Sequence, residues 1–137
     1  MFQRDYISKV IEEMNQIPAR VLGLRADHKL ELAEHVLDDY YLTYLKTDRA
    51  HCLIPEAAKL EAAFKMEFGQ IEPFSMLLNE EAELLFARGN KQLAILRREK
   101  ALELLEFVDE QDKVNYSPDR KERIRVLKSK LTFNNKF

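Results

Sequence analysis

The feature that most constrains this chain is the recurrence of apolar side chains every three or four residues along nearly its whole length. This spacing places the apolar side chains on one face of an α-helix, and that face must then be buried against other helices. Only 3 glycines and 4 prolines occur among the 137 residues, so the chain has too few turn-forming residues for the many turns of a β-rich fold. The pattern therefore predicts an all-α protein.

The length predicts a single domain, because 137 residues lie near the commonest domain size. The apolar pattern stops near residue 131, so we expect one all-helical domain over residues 1–131 and a frayed C-terminal tail over residues 132–137. The sequence contains no cationic, apolar leader and no run of about 18 apolar residues. Its single cysteine, Cys52, cannot form an internal disulfide. We therefore expect a cytoplasmic protein without a membrane segment.

Start and stop residues divide the pattern into about six helices. Pro18 should kink or divide the first helix because it lacks an amide hydrogen, and Asp27 is the expected N-cap of the second. Gly69 is the expected stop of the third helix, Pro73 restarts the chain, and Ser117 caps the last helix. The predicted helices span residues 3–24, 27 to about 46–49, 55–68, 74–87, 91–112 and 118–131.

A weak internal repeat accompanies the helical pattern. Small residues at a helix crossing let two helices approach closely, and the spacing of small and apolar residues over positions 85–108 resembles the tetratricopeptide repeat. Gln92 stands where that repeat has a tyrosine, and Lys113 stands where it usually has a proline. The residues that carry the resemblance are Leu85, Gly89, Ala101, Leu105 and Val108.

The N-terminal segments over residues 1–7, 11–12 and 21–24 resemble the start of an uncharacterised bacterial family of tetratricopeptide-like helical proteins. The resemblance implies antiparallel helical hairpins in a tetratricopeptide-like, right-handed array of about six helices. The resemblance implies no activity and no catalytic residues, and proteins that share a fold need not share a function. Some repeats of this class bind the C-terminal carboxylate of a peptide. They use a lysine together with an asparagine. Here Asn90 fills the asparagine position, but Phe86 stands where the lysine belongs.

Two groups of large side chains are candidates for a partner-binding surface. Aromatic side chains offer a large contact area with few rotatable bonds. Core packing is the alternative for both groups, because the same residues fit the apolar faces of their helices. Together with Asn90, the candidate residues are Tyr40, Tyr41 and Tyr44 in one group and Phe64, Phe68 and Phe74 in the other.

Charge is unevenly distributed along the chain. The whole molecule carries 22 Lys and Arg against 24 Asp and Glu. This near balance gives no overall positive potential that would attract nucleic acid or an anionic membrane. From Asn115 onward the net charge is +5, and the rest of the chain carries −7. This basic segment has two interpretations: contact with phosphates of a nucleic acid, or the polar cap of a helical stack. The lack of a stacking aromatic residue in the segment's helix favours the cap.

A metal-binding interpretation rests on His28 and His35, which share a helix face with acidic residues. The two histidines are two turns apart, roughly 10 Å along the axis, which does not match the familiar metal-binding motifs. His51 and Cys52 are adjacent, and neighbouring side chains rarely face each other as a catalytic pair requires. No phosphate-binding loop or nucleotide fingerprint occurs. We therefore expect no enzymatic activity, no metal and no cofactor.

These observations favour a non-enzymatic interaction or scaffold module that binds a protein or peptide. Short helical arrays often complete their core by self-association, so a homodimer through the long apolar stripe of the first helix is a second hypothesis. The alternatives from other classes are metal binding on the His28 and His35 face, and nucleic-acid contact through the basic C-terminal helix.

Overall fold

The structure, a computed structural model, describes the backbone of residues 2–136 and the side chains of residues 5–133. The predicted all-α class is confirmed: the described residues contain helices and turns and no strand. In chain order the elements are α1 (Phe2–Ala26), α2 (Leu30–Tyr40), a π turn (Tyr41–Leu45), 3₁₀ turns (Arg49–His51 and Ala57–Lys59), α3 (Leu60–Phe64), α4 (Phe68–Ala87), α5 (Lys91–Gln111) and α6 (Pro118–Lys136).

Helix α4 lies at the centre of the arrangement, where it packs against α1, α2 and α5. Burying one large apolar side chain contributes about 1.5–3 kcal/mol, so α4 supplies much of the driving force for folding. Helix α6 packs against α5 and buries Leu127 and Leu131 there. The fully enclosed side chains of α4 are Phe74, Leu77, Leu78, Ala82 and Leu84.

The predicted role of Asp27 as the N-cap of the second helix is wrong. The His28 amide donates to Arg25 O at 3.0 Å and the Lys29 amide donates to Leu24 O at 2.8 Å, while His28 has a left-handed backbone with φ 60°. These are the two bonds of a Schellman motif. Asp27 therefore closes α1, and α2 begins three residues later at Leu30.

The predicted stop at Gly69 and restart at Pro73 are also wrong, because both residues lie inside α4. The third helix ends earlier, at Phe64, where Lys65 adopts a left-handed conformation with φ 55°. Helix α4 then begins at Phe68, and the Glu67 amide donates to Gln70 Oε1 at 2.6 Å. A Cβ on Gly69 would lie 2.9 Å from Ile11 Cδ1. The glycine therefore serves close packing of α4 on α1.

Other boundaries agree more closely with the sequence pattern. Pro18 does not divide the first helix, since α1 continues through it from Phe2 to Ala26. Gly89 closes α4 with φ 84°, and the Leu93 amide donates to Asn90 Oδ1 at 3.4 Å at the start of α5. Ser117 caps α6 as predicted, since its Oγ accepts from the Arg120 amide at 3.2 Å. Helix α6 runs to residue 136 and so includes residues 132–136 of the predicted tail.

Helix α5 buries Ala101, Leu104 and Val108, whereas Leu96 is 60% exposed. Among the described residues, no helix is both long enough and apolar enough to cross a membrane.

Candidate functional site

A π turn follows α2 directly and orients the tyrosines of that segment in different directions. Such turns are rare and occur frequently at functional sites. Tyr41, the first residue of the turn, is fully buried, and Tyr44 is half-buried at its other end. The Tyr40 ring is also buried and contacts both of them, with its centroid 6.3 Å from that of Tyr41 and 4.8 Å from that of Tyr44. The turn thus places one tyrosine in the core and another at the surface.

Tyr44 lines a groove of about 700 Å³ between α1, the π turn and α3. We call it the lysine groove. Tyr6 of α1 contributes a ring that is 68% exposed, so much of the groove wall is aromatic. The lining side chains used below are Tyr6, Lys9 and Glu13 of α1, Tyr44 and Lys46 at the π turn, and Phe64 and Lys65 at the end of α3.

The charged side chains of the lysine groove are mostly cations. Among the described side chains, no carboxylate forms an ion pair with Lys9, Lys46 or Lys65. Glu13 is the acidic residue of the lining, and it accepts from the Tyr44 hydroxyl at 3.3 Å. Burial, together with the charge of Glu13, raises the pKa of Tyr44. Its hydroxyl therefore stays protonated and able to donate.

Two of the groove lysines occupy a backbone conformation that L-residues rarely adopt. Lys46 follows the π turn with φ 56°, and Lys65 follows α3 with φ 55°. Glycine or asparagine is the usual residue at such positions, since a Cβ carries a steric cost there. A cation at a helix C-terminus gains some stabilisation from the helix dipole, which offsets part of this cost.

The structure distributes the predicted partner-binding residues over several environments. Tyr40 and Phe74 are enclosed in the core, where their rings stack with centroids 6.2 Å apart. Phe68 is 44% exposed, and its ring meets Phe107 edge-on at 6.4 Å. Tyr41 is also enclosed, Asn90 is exposed and caps α5, and only Tyr44 and Phe64 of the predicted set line the lysine groove.

A second polar cluster, the Glu81 centre, lies on the other side of the π turn. Glu81 is 1% exposed, and its Oε1 accepts from the Tyr41 hydroxyl at 2.5 Å. Arg49 Nη1 donates to Oε2 at 3.2 Å, and Arg97 Nε lies 3.3 Å from Oε1. A buried charge needs such partners. The centre therefore ties the 3₁₀ turn at Arg49 to α4 and α5.

The Glu81 centre opens on a groove of about 840 Å³ that also contains His51 and Cys52. The His51 ring is engaged by a carboxylate, since its Nδ1 lies 2.8 Å from Asp48 Oδ2. Burial raises the pKa of the Cys52 thiol, which favours the unreactive protonated form. Cysteine and histidine therefore do not form a nucleophilic pair in this arrangement.

The residues of the metal-binding hypothesis do not form one site. His28 stands in the turn after α1, and His35 is exposed on α2. Asp38, from the same predicted face, instead accepts from Arg49 Nε at 2.7 Å. Over the part of the chain that the structure describes, no three His, Cys, Asp or Glu side chains form a group that could hold a metal ion.

The basic side chains of the C-terminal segment form ion pairs with carboxylates of the same molecule. Arg120 is 6% exposed and donates to both carboxylate oxygens of Glu72, at 3.0 and 3.2 Å. Six described cations of this segment are paired with carboxylates: Arg120, Lys121, Arg123, Arg125, Lys128 and Lys130.

Sequence reasoning missed the groove lysines and Glu81. A feature of the sequence marks Glu81, because residues three and four positions away on either side are apolar and buried: Leu77, Leu78, Leu84 and Leu85. A carboxylate at the middle of such a face predicts a buried ion pair. The lysines carry no comparable mark. The end of the second helical segment was predicted near Lys46, but the end of α3 at Phe64 was not, and the groove forms only when both ends pack near α1.

Comparisons with protein-family models, with curated proteins and with solved structures find no match to this chain.

Proposed function

We propose that this protein is a non-enzymatic interaction module that binds an acidic, apolar segment of a protein partner in the lysine groove. The observation that carries the proposal is the set of three lysines without carboxylate partners around half-exposed aromatic rings. Some lysines elsewhere, such as Lys121 and Lys130, are matched with carboxylates. Others among the described side chains, such as Lys91 and Lys113, are not, but they do not line the groove, where three unmatched lysines surround aromatic rings. Cations left unmatched around an apolar groove complement an acidic partner.

The proposal includes a tetratricopeptide-like arrangement of antiparallel helical hairpins. It is supported by the short connection between α4 and α5, which spans Arg88 to Asn90, because short connections join antiparallel neighbours. It is supported also by the extensive packing of these two helices on each other. Arrays of this kind present concave surfaces suited to peptides.

Each type of side chain in the groove has a distinct role in this proposal. Tyr6, Tyr44 and Phe64 supply contact area for apolar side chains of the partner, and aromatic anchors of this kind dominate binding energies at interfaces. Lys46 and Lys65 select acidic side chains, mainly by accelerating encounter and rejecting basic competitors. The Tyr44 hydroxyl donates its single proton to Glu13, so its oxygen offers an acceptor to an N–H group of the partner.

The test uses three synthetic fluorescent peptides with identical Leu and Phe residues at the same positions. The remaining positions are all Glu in the first peptide, all Lys in the second and all Ser in the third. We expect the Glu peptide to bind most tightly by fluorescence anisotropy, and its affinity to fall as NaCl is added, because salt screens exposed charges. The double substitution Lys46→Glu and Lys65→Glu should weaken its binding at least about tenfold.

The matched control reverses two exposed lysines outside the groove, Lys91→Glu and Lys113→Glu, and should leave binding of the Glu peptide unchanged. Tyr6→Ala, on the exposed side of α1, tests the aromatic contribution without altering charge. Circular dichroism verifies that each variant is folded. Equal binding of all three peptides, or equal loss in the groove and control variants, would contradict the proposal.

A further inference from the structure

We infer that the acidic partner of the lysine groove is a second copy of this chain, presented through the outer side of α5. This inference rests on the proposed function, since it identifies the partner of the same groove. The surface in question carries glutamates around two half-buried apolar side chains, and we call it the acidic face. Its defining residues are Glu99, Leu102, Glu103, Glu106, Phe107 and Glu110.

The acidic face has the composition that the groove requires of a partner. Its four glutamates follow one another along one side of α5 at steps of three and four residues. Lys100 and Lys128 pair with two of them, but no described cation pairs with Glu99 or Glu110, and both are exposed. Leu102 and Phe107 supply an apolar centre of intermediate exposure.

The lysine groove and the acidic face adjoin each other along residues 57–70. Phe64 and Lys65 line the groove, whereas Ala57 lines the face and its amide donates to Glu103 Oε2 at 3.2 Å. Phe68 opens α4 between Lys65 and Gln70 of the groove lining, and its ring contacts Phe107 of the face. The segment over residues 57–70 thus contributes side chains to the cationic groove and packs against the acidic face.

This adjacency determines the symmetry of the assembly. A two-fold axis through the border brings the groove of each copy onto the acidic face of the other, and both contacts form at once. The assembly therefore closes at two copies. If the surfaces lay on opposite sides of the molecule, the same complementarity would instead generate open chains.

The first experiment is sedimentation velocity of the full chain over a range of concentrations at low and high NaCl. We expect a species of twice the 16.2 kDa monomer mass at low salt, with dissociation as salt is added. A monomer at every concentration in low salt overturns the inference. So does a series of larger assemblies.

The decisive experiment mixes two charge-reversed variants. The groove variant is Lys46→Glu with Lys65→Glu, and the face variant is Glu99→Lys with Glu110→Lys. In either variant alone, like charges meet at both contacts, so we expect dimerisation to weaken by about 100-fold. In an equal mixture, the hetero-pair has opposite charges at both contacts and dimerises again. Failure of the mixture to recover overturns the inference.

A matched control reverses two exposed acids on α2, Glu31→Lys with Asp39→Lys, and should neither weaken the wild-type dimer nor rescue the groove variant. Rescue by this control would show that net charge alone explains the result. The outcome is separate from that of the peptide experiment. If the Glu peptide binds in the groove but the chain stays monomeric, self-association is wrong and the proposed function stands. If both are correct, the Glu peptide dissociates the dimer.

Discussion

Lys46 and Lys65 show how single residues trade stability for surface chemistry in this protein. Both have positive φ at the end of a helical segment, a conformation that costs a residue with a Cβ about 1–2 kcal/mol relative to the right-handed form. The chain contains glycine at the equivalent turn after α4, at Gly89. Lysine at the turns after the π turn and α3 is thus unfavourable for stability, although it provides the positive charges of the groove.

Replacing either lysine by glycine should therefore stabilise the fold and weaken binding. We expect Lys46→Gly and Lys65→Gly each to raise the free energy of unfolding by about 0.5–1 kcal/mol, because glycine adopts positive φ without strain. Urea unfolding measures this change. The same variants should bind the Glu peptide less tightly. As a control, Lys91→Gly in the first turn of α5 should destabilise by up to about 1 kcal/mol. Destabilisation by both groove substitutions would contradict the argument.

At the scale of elements, α4 organises the fold through its glutamates as well as through its apolar face. Each of four glutamates holds a different part of the chain, and each partner is an arginine or lysine. Paired charges of this kind specify which segments dock where, even where their net contribution to stability is small. The pairs are Glu72 with Arg120 and Arg123, Glu80 with Arg25, Glu81 with Arg49 and Arg97, and Glu83 with Arg98 and Lys130.

Glu83 joins α4 to α5 and α6 at once. Arg98, only 4% exposed, donates to its Oε1 at 2.6 Å, and Lys130 donates to the same oxygen at 2.9 Å. The Arg98 guanidinium also lies 4.7 Å from the centroid of the Phe86 ring. Burial alone would raise the pKa of Glu83, but the hydrogen bond from Lys130 and the charge of Arg98 lower it below the ordinary 4.5.

This lowered pKa has a definite consequence for stability in acid. A carboxyl whose pKa is lower in the folded state stabilises the fold above its unfolded pKa, and the benefit disappears as the pH falls through the folded pKa. Glu83→Gln should therefore cost about 1–2 kcal/mol near neutral pH, and the difference from wild type should shrink as the pH falls below about 4.5. Thermal unfolding followed by circular dichroism measures it, with Glu31→Gln on the exposed face of α2 as the control. A difference that is independent of pH would refute this role for Glu83.

At the scale of the whole molecule, the helices share one apolar centre. The buried cluster draws on α1, α2, the π turn, α4, α5 and α6, and α4 contacts several of these elements directly. Removing one element therefore exposes apolar surface on another, which is the condition for cooperative unfolding. The tyrosines at the centre, Tyr40 and Tyr41, report on this packing.

We expect thermal unfolding to be a single transition. Far-ultraviolet circular dichroism follows the helices, and the near-ultraviolet signal follows the immobilised rings of Tyr40 and Tyr41, so the two melting curves should coincide. Tyr40→Phe serves as a control, because it removes a hydroxyl that has no hydrogen-bond partner and should leave the coincidence intact. Loss of the tyrosine signal well before the helical signal would contradict the prediction, because core packing would then be lost while the helices persist.

The sequence by itself determined the helical class and most helix ends that depend on local chemistry. The period of the apolar residues predicted a helical chain, and the described residues contain helices and no strand. Gly89 and Ser117 marked a stop and a start correctly, because the backbone conformation at Gly89 and the capping hydroxyl of Ser117 act within one turn of helix. Local interactions of this range are encoded in consecutive residues.

Only the tertiary structure decided how Gly69, Glu81 and the groove lysines are used. Gly69 interrupts no helix. Its lack of a Cβ leaves room for Ile11 of α1, a neighbour 58 positions away in the sequence. Glu81 could be recognised as buried, but not matched with Arg49 and Arg97. The lysine groove forms where α1, the π turn and α3 converge. Packing between distant segments sets these contacts, and the spacing of residues along one helix carries no information about which surface of another helix they meet.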